Sequence, residues 1–511
     1  MAAAVMAQAQ SSSPSISVTN DLLYQRNFEA VGVDGARRPN QFQEHLSLFL
    51  TWGQWSGGLT VRDVNYYKAY GDTTLDQADA SLYRAYAKFV SGGFSVQVGD
   101  FNAVLGRGMV LSVVQNDTVL LDWTIRGLDV RYLGKGADFH ALMGTVNNHI
   151  RRLPPGTMVS GLPLAEGFRK WNVAGLEGQI EWMKGNRVGA RAALIEDDGT
   201  ESSLTQTLKL VAGNPPRPNA DRRVSESLNL AGNGLWGVFD YYVEAAQTQF
   251  RQKQETPWTL PWPRPTDPTR GSGLYGNMVF HSGAWMVMAE GKRYRHFNNE
   301  LNNAPLADRE TEKLTMDNSD GLRLYAHYSF RDPDLTLFAS AGRCREGDLL
   351  SKVVNDGSSV FGGFKLEDWF DRLGASYTYG LKTVHLLVGR YLEKRTDASL
   401  TYKFTPLWSL DFTLKDRRKP NYGEWDLTTQ VARSPWGALY FTHQYSSRVE
   451  TPDNPSPWKR MNSGGIRINL KKGSYLDLSG GKMRGGEVCA GGQCVMLPAY
   501  RGWKISTHIR F

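Results

Sequence analysis

The chain has 511 residues, 41% of them hydrophobic, and its 59 basic and 51 acidic side chains leave a formal net charge of +8. The strongest apolar run, Ala284 to Ala289, falls far short of the ~20 residues a membrane-spanning helix needs, so a helical membrane protein is excluded. Basic clusters are no longer than Arg222-Arg223 or Lys471-Lys472, which excludes a nucleic-acid surface; the net charge points to a mildly basic lumen or affinity for anionic lipopolysaccharide.

Two β-rich readings remain, a soluble sheet protein and a membrane barrel whose lipid face uses only every second residue. The 15 Trp, 22 Tyr, 21 Phe and 53 Gly favour the barrel, with interfacial aromatic girdles and many turns. In chain order, residues 1–9 read as a signal-peptide remnant, with Ala2 to Ala7 as an apolar stretch and Ala7-Gln8-Ala9 as a cleavage site. Residues 10–20 follow as a flexible leader, and residues 21–511 form one outer-membrane β-barrel domain.

Alternation then recurs with period two. Leu128, Val130 and Tyr132 alternate with Asp129 and Arg131, and Leu322, Leu324, Ala326, Tyr328 and Phe330 with Arg323, Tyr325, His327 and Ser329. Leu400, Tyr402 and Phe404 flank Thr401 and Lys403; Leu410, Phe412 and Leu414 flank Asp411, Thr413 and Lys415; Ile466, Ile468 and Leu470 flank Arg467 and Asn469. Each segment puts apolar atoms in lipid and polar atoms in a wet lumen. Connections alternate as well. Short ones fall at Gly53 to Gly57, Ser91 to Gly93, Gly134 to Gly136, Arg331 to Asp334 and Ser434 to Gly437; long polar ones include Arg151 to Phe168, Arg251 to Gly273 and Arg343 to Asp371. That asymmetry matches short periplasmic turns and long external loops. The fold expected is an all-β, transmembrane, antiparallel up-and-down barrel of about 22 to 24 strands, its even number bringing both termini to the periplasmic side.

Two segments break the pattern. Arg107 shares strand parity with Met109 and Leu111, so no regular strand can put the arginine in water and both apolar residues in lipid. A bulge or a turn into the lumen is required, and Ala103 to Trp123 has room for an extra hairpin or an inward fold. Asp129 is the carboxylate expected to partner Arg107. Either a structural ion-pair network or a solute-selecting constriction results. The other segment is the stiff loop at 257–268, with Pro257, Pro261, Pro263, Pro265 and Pro268, read as a lid or a protease-resistant external loop.

Cys489 and Cys494 enclose a short loop and, in an oxidising compartment, are expected to form a disulfide contributing roughly 2 kcal/mol. Cys344 is left over as a buried thiol. Finally, Trp503, Ile505, Thr507, Ile509 and Phe511 alternate with Lys504, Ser506, His508 and Arg510, a terminal strand resembling the signal read by the barrel assembly machinery.

Gly99-Asp100-Phe101 with Gly106-Arg107-Gly108, the Arg126 to Arg131 strand, and the loop Gly485 to Cys494 with Pro498 and Gly502 together resemble an uncharacterised outer-membrane barrel family, defined only as a domain of unknown function. The resemblance spans nearly the whole chain and implies a fold and a location but no activity.

Three functions stay open. The first is a channel, with Arg107, Asp129, Arg131, Arg323, Lys403, Lys415 and Arg467 as lumen or constriction residues and a weak preference for anions. The second is a sleeve for a periplasmic or secretion partner, such as a cytochrome carried by another chain, since no C-x-x-C-H occurs. The third is an outer-membrane hydrolase, for which the sequence offers only His281-Ser282, adjacent residues that a strand turns to opposite faces. Without G-x-S-x-G or H-E-x-x-H, no catalytic residue, metal or cofactor is expected.

Overall fold

The computed structural model describes residues 13–28, 40–67, 77–116, 121–148, 158–159, 162–163, 171–197, 222–235, 237–251, 270–297, 301, 305, 318–347, 354–386, 389–447, 459–483, 486–490, 493–497 and 500–511. Among them, 24 strands form one closed antiparallel barrel. Closure joins the two ends of the chain. The first strand, Ser15–Asn27, pairs with Asn40–Trp52 on one side and with the last strand, Tyr500–Arg510, on the other, where Thr19 lies opposite Arg510. A ring of this kind leaves no strand edge to be satisfied in hydrocarbon.

The strand count falls within the expected range, and the expected parity holds. Leu322 is 64% and Leu324 53% exposed, and Leu400, Tyr402, Phe404, Phe412 and Leu414 are exposed with them. In a closed sheet such a belt is the lipid face, and it places the chain in the outer membrane. Trp52, Trp55, Trp285, Trp408 and Trp436, all exposed, sit beside the short turns. Near the opposite end Tyr24 packs on Trp503, ring centroids 5.1 Å apart. Phe511 is 66% exposed at the short-turn end, as the terminal strand requires.

Two boundaries differ from expectation. Residues 15–20, expected as leader, are already wall, because Ile16 and Val18 alternate with polar residues over too short a span to read as a strand. The connection expected from Arg343 to Asp371 contains the strand Val354–Trp369, whose Gly357, Gly362 and Gly363 dilute its apolar alternation. The signal remnant and the proline loop at 257–268 lie outside the described residues. So do the side chains of Cys489 and Cys494, although Gly486–Ala490 pairs with Gln493–Leu497 and sets Cys489 opposite Cys494. Those strands continue through Met158–Val159 to Leu162–Pro163 in a four-stranded sheet linking two external loops. Cys344 is buried.

Candidate functional site

The chain does turn inward where Arg107 demanded it. The strand Phe94–Phe101 pairs with its preceding neighbour only as far as Gly99 opposite Tyr86, stays with the following strand, Leu121–Leu133, as far as Phe101 opposite Ile125, and then leaves the wall. Gly99 makes the exit possible: its φ is +104°, and a Cβ there would stand 2.1 Å from the Ala85 carbonyl oxygen. Asp100, 4% exposed, anchors the bend by accepting from the Arg126 guanidinium at 3.0 and 2.9 Å and from the Ala85 amide at 2.8 Å.

Beyond it, Ala103–Leu105 and Leu111–Val113 pair as a small hairpin inside the barrel. Leu105, Met109, Val110, Leu111 and Val113 are each 0% exposed. They pack on Ile125, Leu142, Val146, Trp171, Val173, Ala193, Ile195 and Leu301, and Met109 enters a second cluster with Tyr242, Tyr275, Tyr294 and Phe297. This sector of the lumen is therefore apolar, against the expectation of a uniformly wet interior. The hairpin covers it, so side chains facing inward there are buried rather than solvated.

The tip rests on a polar belt. Gly108 N donates to the Leu105 carbonyl at 3.3 Å, closing a turn with Gly106 at φ +67°. A Cβ on Gly106 would lie 2.5 Å from Glu244 Oε1 and 3.0 Å from Arg191 Cδ, so the backbone sits directly on that ion pair. Glu244, 0% exposed, accepts from Ser227 Oγ at 2.7 Å and from the Tyr242 hydroxyl, and meets Arg191 at 3.5 Å. Arg191 donates to Glu177 at 2.7 Å and to Asn229 at 2.8 Å. Further round, the Tyr275 hydroxyl donates to Glu290 at 2.7 Å, Arg323 reaches Glu290 at 3.3 Å, and Arg323 also donates to Ser340 at 3.0 Å. The belt crosses eight consecutive strands, from Trp171–Met183 to Leu335–Gly347.

The structure separates the pair expected at Arg107. Asp129, 4% exposed, binds Arg131 at 2.9 Å and His140 instead. Arg107 is exposed to the lumen, its guanidinium carbon 4.1 Å from the Tyr242 ring centroid, and its backbone N donates to Glu244 at 3.3 Å. The inward fold carries Arg107 well beyond the strand that holds Asp129. His281 sits 3.3 Å from Asp240, and strand alternation turns Ser282 the other way, so the two form no nucleophile–base pair.

The remaining candidates lie on the other side of the ring. Lys403 meets Asp368 at 2.6 Å, Arg467 meets Asp477 at 3.1 Å, and Lys415 stands between Asp397 and Asp426 in register. Lys403, Arg467, Asp477 and Lys504 line a cavity of about 810 Å³ near the short-turn end, with Thr428, Gln430 and Thr442. Because Lys504 and Ser506 face this cavity, Trp503, Ile505, Thr507 and Ile509 take the lipid face. Sequence reasoning missed Arg191, Tyr242, Glu244, Tyr275 and Glu290, and also Glu393 with Arg395, Arg417 and Lys419. The last four share lumenal parity with Lys403 and Lys415, so extending those alternations toward the external ends would have found them.

The geometry is that of a closed outer-membrane β-barrel with an inward hairpin braced on its wall. No protein-family profile and no curated protein sequence matches the chain. Among solved structures it is similar to the copper transporter OprC (TM-score 0.51, 11% identity, covering 98% of this chain and 81% of that one). It is also similar to the ferric enterobactin receptor PfeA (0.50, 10%, 98% and 82%). The siderophore receptor PirA from Pseudomonas aeruginosa is a third (0.50, 9%, 98% and 81%). At these identities the likeness is one of fold.

Proposed function

We propose that this barrel is a solute channel with a mild preference for anions, its lumen narrowed from one side by the hairpin of residues 103–113. Lumenal charge is balanced on one side of the ring and in cationic surplus on the other, and that observation carries the reading. On the hairpin side Asp129, Glu177, Glu244 and Glu290 are each matched by an arginine, Arg131, Arg191 or Arg323. On the opposite wall Lys403, Arg467 and Lys504 at one end and Arg395, Arg417 and Lys419 at the other outnumber the carboxylates that meet them, Asp368, Asp477 and Glu393. Lys403 and Arg395 share one strand eight residues apart, a span of roughly 27 Å at the strand rise. A wall so charged lowers the barrier for anions along its length.

The test is single-channel recording in a planar bilayer under a potassium chloride gradient. The reversal potential is expected to show chloride favoured over potassium, and Lys403→Glu with Lys504→Glu to shift it toward potassium. No conductance, or cation preference in the native chain, sinks the reading. The same reading takes Trp503 to Phe511 as the strand presented to the assembly machinery.

A further inference from the structure

On the wall opposite the hairpin, close to the external turns, four cations crowd one buried carboxylate. Glu393 is 1% exposed and meets Arg395 Nε at 2.6 Å, Arg417 Nε at 3.3 Å and Lys419 Nζ at 3.5 Å. The register adds the rest: Lys382 lies directly opposite Glu393, and Arg395 directly opposite Arg417. Like charges facing each other across two strands are destabilising, and a single carboxylate offsets only part of that repulsion. A second acid, Glu424, lies opposite Arg417 and accepts from Ser446 Oγ at 3.2 Å, and one step down the wall Lys415 lies between Asp397 and Asp426, so five cations face four carboxylates and the group stays net positive. The tyrosine rings of 391 and 422 hold Lys419 from both sides, at 5.4 and 5.3 Å.

The cluster is also presented. The side chains of Arg395, Arg417 and Lys419 are 21%, 46% and 23% exposed, whereas the carboxylate they share is at 2%. Solvent at the cluster therefore meets these nitrogens before the Glu393 oxygens.

We propose that Lys382, Arg395, Arg417 and Lys419 form a binding site for a multivalent oxyanion, a phosphate- or sulfate-bearing solute entering from outside, with Glu393 fixing the spacing of the cations. The site deepens the anion-channel reading and rests on it. Planar guanidinium groups match the oxygens of such anions in pairs, and a diffuse positive wall does not. Because all four side chains share the lumenal face, the ligand comes from solution and not from a lipid headgroup.

Isothermal titration of the full chain, purified in detergent, with inorganic pyrophosphate at low salt tests the proposal. Saturable binding is expected, weakened about tenfold or more by Arg395→Gln with Arg417→Gln, since each removes a charge-assisted contact. Lys403→Gln with Lys504→Gln, at the other end of the lumen, is expected to leave it within about twofold, screened by distance. No binding by the native chain, or equal loss in both double variants, overturns the site. Should the arginine variant fail to show the heat-modifiable migration of a folded barrel, Lys419→Gln decides, unchanged affinity overturning the proposal. A chain that binds pyrophosphate but conducts nothing refutes the channel reading and leaves the site standing.

Discussion

Truncating Leu105 to Ala tests whether the hairpin is held by its apolar face. The side chain is 0% exposed and its Cδ1 lies 2.7 Å from where a Cβ on Gly175 would stand, so the wall has no slack to collapse into the space vacated. Large-to-small changes at such sites cost about 2–5 kcal/mol, which multiplies the ratio of undocked to docked hairpin by about 30-fold to several thousand-fold. Because the barrel strands keep all their own pairings, the loss falls on the hairpin alone. Amide hydrogen exchange followed by mass spectrometry reads it: peptides covering 103–113 are expected to exchange faster, while peptides from Leu335–Gly347 are unchanged. Leu400→Ala, on the lipid face, serves as the control and is expected to leave the hairpin's protection intact. Native-like protection of residues 103–113 in Leu105→Ala would refute the claim that apolar burial docks the hairpin.

Three further outcomes follow from the same contacts. Gly106→Ala forces a Cβ into φ +67° and against Glu244 Oε1, at a cost of about 1–3 kcal/mol, and is expected to speed exchange at the tip more than at Ala103. Arg191→Met leaves Glu177 and Glu244 without their shared cation, an uncompensated buried charge of about 3–5 kcal/mol. It is expected to lower the temperature at which the barrel loses its heat-modifiable migration, and an unchanged temperature would remove the belt from the stability account. Cys489 and Cys494, opposite in register, are expected to resist alkylation until reduced; labelling of both in the unreduced, folded chain would exclude their disulfide.

Most of the wall was legible because a lipid face imposes alternation that survives in the letters: Leu322 to Phe330 and Trp503 to Phe511 can be read from parity alone. Arg107 was legible as an exception for the same reason, since its parity contradicted that of Met109 and Leu111. Its surroundings were not. Glu244, Tyr275 and Glu290 lie 137 to 183 positions along the chain from Arg107, and only the curvature of the wall brings their strands beneath the hairpin. Leu142, Val146 and Val173 misled in the opposite way. They are apolar and inward, and alternation assigns apolar residues to lipid unless something inside covers them. Val354–Trp369 escaped because Gly357, Gly362 and Gly363 remove the side chains that alternation is read from.

The seat of the hairpin is assembled from wall that follows it in the chain, as far as Leu301, whose carbonyl accepts from Ser112 N at 2.6 Å. Nearly two hundred residues must therefore be laid down before residues 103–113 can dock, whichever end of the chain is inserted first. Until then Leu105, Met109, Val110, Leu111 and Val113 have no surface to cover them. Such long-range contacts slow folding and prolong the exposure of sticky intermediates. Docking of the hairpin is thus a late event that waits on wall laid down as far as Leu301, though not on closure of the ring.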